Sequence, residues 1–310
     1  MLNRRHLIAG LTLSLTLSAS PMAALAQEKL PVVASFSVLG DFVREIGGDR
    51  VSVTTLVGPN GDAHVYSPTP ADAKSMAAAK LIVVNGLKFE GWMTRLIKSS
   101  GAKATVATAT TGITPLQLKE DDDHAKAGHD HGHEDPHAWQ SVANAKLYIA
   151  NIRDALGAAD PAGKPVYDAN ATTYLAQLDQ VDGEIKAAVA RIPADRRKAI
   201  TSHDAFGYFI KAYGIEFIAP QGVSTEAEAS AKDVARIIRQ VKAQKIPAVF
   251  LENITNPRLI EQIARETGAK IGGQLFSDAL SDAKGPAGTY IAMMRYNITQ
   301  IEKALGAGPA

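Results

Sequence analysis

Four side chains have the types and positions expected of a metal site. His64 and His203 each follow a predicted strand, and His137 begins the segment that comes after a histidine-rich stretch. Asp278 follows another predicted strand. Because the ligands of open α/β sheets gather beyond the carboxyl ends of the strands, these four residues are candidates for a common site.

The chemistry of such a site would be the binding of a divalent transition metal. Neutral imidazole and carboxylate suit zinc and its neighbours, and four such ligands complete a tetrahedron. Imidazole binds a metal only when it is deprotonated, so the affinity should fall below about pH 6. The chain has no cysteine, which excludes thiolate sites. Spacing alone leaves another reading open, in which each histidine caps a helix or makes a loop hydrogen bond.

A second group of histidines lies between residues 117 and 135, in a stretch without hydrophobic periodicity. Its composition predicts a solvated, mobile loop. One reading is a polar linker, and the other is a weak accessory zinc site, since ordering the loop costs about 1 kcal/mol or more per residue. The candidate accessory ligands are His124, His129, His131 and His133.

Strand and helix signals alternate along the first half of the chain and would position the first ligands. The strands are short and almost wholly apolar, which is typical of a parallel sheet that helices cover on both faces. The predicted strands are 31–36, 51–57, 81–84 and 104–107, and the predicted helices are 38–47, 70–79 and 91–99.

An unusually long helical pattern runs from Lys164 to Ile192. A helix of about 25 residues would span about 38 Å and could join two lobes. After it the alternation restarts, with strands predicted at 198–202, 216–219, 248–251 and 269–275 and helices at 205–213, 232–245, 257–267 and 289–305.

The predicted fold class is α/β, with two lobes that are each a small parallel sheet flanked by helices. The length beyond residue 26 exceeds one typical domain, which also favours two lobes. We expect an N-terminal lobe over 27–163, a linking helix over 164–193 and a C-terminal lobe over 194–310.

The first 26 residues have the three parts of a secretory signal peptide. Arg4 and Arg5 supply positive charge, an uncharged apolar stretch runs from Leu7 to Ala19, and an Ala-Leu-Ala cleavage signature ends at Ala26. The arginine pair leaves twin-arginine export open beside the general secretory route, and an N-terminal anchor helix is the alternative to cleavage. Cleavage near Ala26 predicts a periplasmic protein.

The charge balance argues against nucleic acid or an anionic membrane as a partner. The chain has 33 Lys+Arg and 32 Asp+Glu, and loss of residues 1–26 would change the formal net charge from +1 to −1. A near-neutral chain lacks the excess of positive charge with which proteins bind polyanions. Without cysteine there is also no lipid-modified residue of the lipoprotein type, so we expect a protein free in the periplasm.

Four sequence motifs strengthen the prediction that these residues form a metal site. They are GPNGDAHVYSPTP at 58–70, DPHAWQS at 135–141, TSHDAFGYF at 201–209 and LFSDALSDAKGPAGTYIAMMRY at 275–296. In this order they closely resemble the solute-binding proteins of zinc and manganese ABC transporters, the ZnuA/TroA-like periplasmic family. The resemblance covers nearly the whole chain beyond residue 26, and the zinc-binding AztC type is one candidate subgroup.

The resemblance implies a ligand set of His64, His137, His203 and Asp278. It also implies two lobes joined by one long rigid helix, with the metal between them. Manganese-preferring relatives tend to have glutamate at the third ligand position, so His203 favours Zn²⁺ over the alternative, Mn²⁺ or another divalent ion. Many relatives have proline where this chain has Ala63, a departure that leaves the ligand intact.

The implied role is a monomeric binding protein that delivers zinc to a membrane ABC permease and performs no catalysis. A periplasmic zinc chaperone is a further candidate partner. The alternatives are a zinc metalloenzyme, against which the absence of an H-E-x-x-H motif argues, and a surface adhesin on the same fold.

Two more residues are candidates for supporting the ligands. Glu252 ends a predicted strand near the site, where it could contact a ligand or merely cap a helix. Trp139 lies two residues after His137 and could contact it or simply pack in the core.

Overall fold

The computed structural model describes residues 28–118 and 134–306, and the predicted signal peptide lies outside these ranges. The first lobe alternates strands and helices. Its elements are β1 (Leu30–Phe36), α1 (Ser37–Gly47), β2 (Val51–Val57), α2 (Pro70–Ala78), β3 (Leu81–Val84), α3 (Met93–Ser100), β4 (Thr105–Thr108) and α4 (Val142–Ala159).

A long helix, α5 (Lys164–Arg191), leads into the second lobe, which alternates in the same way. The elements of the second lobe are β5 (Lys198–Ile200), α6 (Gly207–Tyr213), β6 (Glu216–Ile218), α7 (Ala231–Gln244), β7 (Ala248–Glu252), α8 (Arg258–Thr267), β8 (Lys270–Leu275) and α9 (Tyr290–Gly306).

The two four-stranded sheets follow one plan. Their strand orders are β2-β1-β3-β4 and β6-β5-β7-β8, and every pair of neighbouring strands is parallel. Parallel strands need crossover connections, which the helices between them supply. The predicted α/β class with two lobes is confirmed.

Each sheet has helices on both faces, as alternate residues along its strands show. Val32 and Ala34 of β1 belong to the large hydrophobic core, whereas Val33 packs in a separate cluster with residues of α2 and α3. In the second sheet Ala199 faces the large core, and Ile200 packs with residues of α7 and α8. Burial on both faces is why these strands are continuously apolar rather than alternating.

Helix α5 links the lobes and packs against helices of both. Its 28 residues span about 42 Å at about 1.5 Å per residue. It lies against α1 and α4 of the first lobe and against α9 of the second. A continuous helix packed on both lobes restricts their relative motion more than a loop hinge would. Neither α5 nor any other helix of the described residues combines the length and apolar character needed to cross a membrane.

Helix α4 is an element to which the sequence analysis assigned no structure. Its buried residues include Tyr148, Ile149 and Ile152, which have the three-to-four spacing of a core-facing helix. The helix follows the segment that carries His137, so it helps to fix that segment in the first lobe. Other element boundaries agree with the predictions to within about two residues, the usual variation at helix ends.

Candidate metal centre

Four buried side chains from both lobes meet between the sheets. His64 follows β2, His137 follows the long connection after β4, His203 follows β5 and Asp278 follows β8. One ligand atom of each residue lies within 4.8 Å of the others. Asp278 Oδ2 is central, at 3.1 Å from His64 Nε2, 3.1 Å from His203 Nε2 and 3.5 Å from His137 Nε2. The structure thus brings together all four residues that the sequence analysis placed in one site.

The three distances from Asp278 Oδ2 fit a small tetrahedral cation. Bonds of about 2.0–2.1 Å to a tetrahedral zinc ion would place neighbouring ligand atoms about 3.3 Å apart. Two of the buried atoms, His137 Nε2 and Asp278 Oδ1, have no hydrogen-bond partner among the described residues. Buried polar atoms normally have partners, and a cation bound here would supply one for His137 Nε2. The donor set of imidazole and carboxylate suits a divalent transition metal.

The loop before α2 is held in place around His64. Asp62 Oδ1 accepts the backbone N–H of His64 at 2.9 Å, and Trp92 Nε1 donates to the carbonyl of Ala63 at 2.8 Å. The imidazole packs edge-on against Phe89, with ring centroids 4.8 Å apart. His64 is 8 % exposed, whereas the other three ligand candidates are 0 % exposed. His64 therefore marks the side of the site nearest to solvent.

A carboxylate that the sequence analysis missed contacts His137. Asp135 Oδ1 accepts the backbone N–H of His137 at 2.9 Å and lies 2.8 Å from its Nδ1. This contact orients the ring so that Nε2 faces Asp278. The sequence analysis counted Asp135 with the mobile loop because of the surrounding composition, but the residue is buried. Its position two residues before a histidine candidate was the available signal.

Glu252 contacts His203 in a similar way. Of the two roles that the sequence analysis considered for Glu252, this is the contact with a ligand candidate. Glu252 Oε2 lies 2.7 Å from His203 Nδ1. Its Oε1 accepts the backbone N–H groups of Ser202 at 2.7 Å and of His203 at 3.0 Å. Glu252 is the last residue of β7, which pairs with β5, so the sheet itself sets this contact. Metal-ligating histidines commonly have such a carboxylate partner on the second ring nitrogen.

Trp139 connects His137 to the loop that carries Asp278. Its ring centroid lies 5.3 Å from that of His137, and its Nε1 donates to the carbonyl of Ser277 at 2.9 Å. Gln140 Nε2 donates to the same carbonyl at 2.8 Å. Residues of the first lobe therefore hold the backbone beside Asp278, a ligand candidate of the second lobe.

Charges within the cluster favour the protonated forms of His137 and His203 until a cation binds, but not that of His64. Burial lowers the pKa of His64. For His137 the nearby carboxylates, Asp278 foremost, outweigh burial and raise the pKa to about 9. For His203 burial is outweighed by Glu252 and Asp278, which raise the pKa well above its ordinary value. Burial would raise the pKa of Asp278, but His137 and His203 outweigh it and hold that pKa well below its usual range. A cation that binds here displaces protons from the imidazoles.

The four accessory candidates in the histidine-rich loop lie outside the described residues; they are His124, His129, His131 and His133. The flanks of that loop are close together, since Gln117 and Glu134 form an antiparallel bridge. Tyr208 of the second lobe holds both flanks, because its hydroxyl accepts the N–H of Leu116 at 3.1 Å and donates to the carbonyl of Asp135 at 2.9 Å. The loop therefore leaves and re-enters the fold beside the metal site.

Comparison with known protein families gives one match over most of the chain. The sequence profile of the family described as zinc-uptake complex component A, periplasmic, matches residues 32–304. This range includes both lobes and all four ligand candidates.

Two similar sequences are named for other metals. The iron-binding protein YfeA of Yersinia pestis is 35 % identical over 279 residues, which cover 90 % of this chain and 87 % of YfeA. The manganese-binding lipoprotein MntA of Halalkalibacterium halodurans is 34 % identical over 271 residues, which cover 87 % of each chain.

Similar solved structures include one zinc-binding and one manganese-bound protein. The periplasmic zinc-binding protein TroA from Treponema pallidum has a TM-score of 0.83 and 31 % identity, and the match covers 90 % of this chain and 100 % of TroA. The Mn-bound periplasmic metal-binding protein from Candidatus Liberibacter asiaticus has a TM-score of 0.79 and 33 % identity, with the same coverage.

Proposed function

This chain belongs to the family of periplasmic zinc-uptake component A proteins, and we propose that it binds one zinc ion and delivers it to an ABC-type import permease. Proteins of this family are solute-binding components of metal import and not enzymes. The observation that carries the proposal is the buried cluster of His64, His137, His203 and Asp278, in which one ligand atom of each residue lies within 4.8 Å of the others.

The preference for zinc rests on the ligand types. Relatives are named for iron, manganese and zinc, so the family by itself leaves the metal open. Three imidazoles and one carboxylate suit zinc, whereas manganese favours sites richer in oxygen. The deciding ligand is His203, which supplies the third imidazole. Manganese is the second candidate because a manganese-binding relative is 34 % identical to this chain.

The ligand count supports transport without catalysis. Catalytic zinc sites usually keep one position of the tetrahedron for water or substrate. Here four protein side chains would occupy all four positions. In this proposal Asp135 and Glu252 orient His137 and His203, and Trp139 supports the loop of Asp278.

A competition titration of purified protein against chelators of known affinity tests the choice of metal. We expect zinc to bind more tightly than manganese. His203→Ala should weaken zinc binding by more than about 100-fold, since it removes a ligand rather than an outer contact worth about 10- to 100-fold. His203→Glu should weaken zinc binding more than manganese binding.

Two results would contradict this proposal. Unchanged zinc affinity in His203→Ala would remove His203 from the site. Manganese binding at least as tight as zinc binding in the unmodified protein would replace zinc by manganese as the cargo.

The histidine-rich loop has a separate proposed role as a weak zinc collector. Elemental analysis of protein purified from the periplasm, with residues 119–133 present or deleted, separates the two roles. We expect about one zinc per chain in both proteins. Loss of this zinc on deletion would show that the loop, and not the buried cluster, holds the metal.

A further inference from the structure

One hydrogen bond joins the two lobes at the solvent side of the metal site. Thr225 Oγ1 donates to Asp62 Oδ2 at 2.6 Å, and both residues are partly exposed. Asp62 lies in the loop of the first lobe between β2 and α2, and Thr225 lies in the loop of the second lobe between β6 and α7. We call this hydrogen bond the rim clasp.

On the side of the first lobe, the rim clasp involves a residue two positions before a ligand candidate. The other oxygen of the carboxylate, Asp62 Oδ1, accepts the backbone N–H of His64 at 2.9 Å. A carboxylate that is held at both oxygens transmits a displacement of Thr225 to the backbone of His64. Asp62 is therefore a positioning residue for His64.

On the side of the second lobe, the loop of Thr225 is attached to the segment that carries His203. The N–H of Gln221 donates to the carbonyl of Ser202 at 3.3 Å, and the N–H of Asp204 donates to the carbonyl of Gly222 at 3.1 Å. These two bonds lie on either side of His203. The rim clasp thus connects the backbone segments of His64 and His203, one from each lobe.

Other contacts between the lobes do not involve the segment of His203; through Asn60 they join the loop of His64 to the loop of Asp278 and to the end of β7. The backbone N–H of Leu280 donates to Ser37 Oγ at 2.9 Å, and the N–H of Asn60 donates to the carbonyl of Leu280 at 2.9 Å. Both contacts hold the loop of Asp278 to the first lobe. Asn253 Nδ2 also donates to Asn60 Oδ1 at 3.2 Å, which joins the end of β7 to the first lobe without the loop of Thr225.

We propose that the rim clasp sets the rate at which bound metal leaves the site. His64 is the partly exposed ligand candidate, so the path to solvent passes on its side of the cluster. Separation of the backbone segment of His64 from that of His203 requires the Asp62–Thr225 hydrogen bond to break. This inference rests on the proposed function, because it concerns the release of the same cargo.

The test measures zinc release from the full-length protein into an excess of chelator by stopped-flow fluorescence. Thr225→Val removes the hydroxyl while keeping the shape of the side chain, and Thr225→Ser is the matched control that keeps the hydroxyl. We expect Thr225→Val to release zinc about fivefold faster, the factor that a net hydrogen bond of ordinary strength provides. Thr225→Ser should release zinc at nearly the rate of the unmodified protein.

Two further measurements separate the rim clasp from a general structural effect. Thermal unfolding of the metal-free proteins should show that both variants remain folded, and Thr225→Val should be destabilised by no more than the loss of one partly exposed hydrogen bond. In a double-mutant cycle, Thr225→Val should add little to the release rate of Asp62→Ala, because both changes remove the same hydrogen bond.

The proposal is wrong if Thr225→Val releases zinc within twofold of the unmodified rate, or if Thr225→Ser is as fast as Thr225→Val. In either case tight zinc binding by the same samples would leave the proposed function intact. Failure of the unmodified protein to bind zinc or manganese tightly would instead remove the proposed function, and the rim clasp with it.

Discussion

The two lobes share one strand order but differ in the position of one of their two ligand candidates. In the first lobe His64 and His137 follow β2 and β4, the second and fourth strands in chain order. In the second lobe His203 and Asp278 follow β5 and β8, the first and fourth strands. The common plan brings the carboxyl ends of both sheets to one region; each lobe uses its fourth strand, and the lobes differ in whether the first or the second strand carries the other ligand candidate.

The third strand of each lobe shows the difference most clearly, since a buried glutamate occurs at or after both. In the first lobe Glu90 Oε1 accepts from Ser35 Oγ at 2.5 Å and from the N–H of Asn85 at 2.6 Å. It thereby joins the ends of β1 and β3, and burial raises its pKa. In the second lobe Glu252 contacts His203. The buried glutamate beyond the end of β3 therefore joins two strands, whereas the one that ends β7 orients a ligand candidate.

The largest effect is expected from Asp278, the point at which the two lobes meet. Its Oδ2 is within 3.5 Å of the histidines of both lobes. Asp278→Asn should weaken zinc binding by about 1000-fold, more than the loss of a carboxylate that contacts a ligand but not the metal. The control is Asp282→Asn in the same loop, an exposed position where we expect less than a threefold change. Equal effects of the two variants in a competition titration would contradict the central role of Asp278.

The division of roles between the glutamates can be tested directly. Glu252→Gln should weaken zinc binding by about 10- to 100-fold, because the amide supports a metal-ligating imidazole less well than a carboxylate does. Glu90→Gln should change the affinity by less than about threefold, since Glu90 accepts hydrogen bonds from Ser35 and the backbone and not from a ligand. A comparable loss in both variants would mean that the first lobe also uses its glutamate to support the metal.

We expect the stability of the folded protein to depend on pH through Asp41, which lies at the boundary between the lobes. Its Oδ2 accepts the N–H of Tyr290, the first residue of α9, at 2.8 Å. Burial raises the pKa of Asp41 from 3.8 to about 7. An acid with a raised pKa stabilises the folded protein below pH 4, and this contribution is lost as the pH rises to 7, because only the folded state then holds the proton. The amount is a few kcal/mol at most.

Urea unfolding of metal-free protein at pH 5 and pH 8 checks this expectation. Asp41→Asn should lose less stability between these pH values than the unmodified protein does, because the amide does not ionise. The exposed Asp49→Asn provides the matched control and should follow the unmodified protein. An unchanged pH dependence in Asp41→Asn would assign the effect to other groups.

The smallest effect is expected at Tyr208, by which the second lobe reaches the segment of His137. Tyr208→Phe removes the hydroxyl that bonds Leu116 and Asp135, and it should lower the free energy of unfolding by about 1 kcal/mol. The zinc affinity should change by less than about threefold, because the imidazole contact of Asp135 remains. A tenfold loss of affinity would show that the second lobe directly supports the ligands of the first.

Much of the site could be found from the sequence because strand ends are local features. His64, His203 and Asp278 each follow a strand that the sequence alone predicts. His137 follows no strand closely; its position after the histidine-rich stretch made it a candidate, and the family resemblance strengthened that assignment. Asp135 was missed because the composition of the neighbouring loop concealed a buried residue. The composition of a segment averages over its residues and does not report the burial of one carboxylate.

The sequence by itself determined the two α/β lobes, the long helix and the kinds of ligand available. These follow from periodicity, strand length and residue type, which act over a few residues at a time. Only the tertiary structure decided which distant groups meet, such as Asp62 with Thr225, 163 residues apart, or Asp278 with histidines of both lobes. Such contacts depend on how two separately folded sheets pack around α5, and no local pattern carries that information.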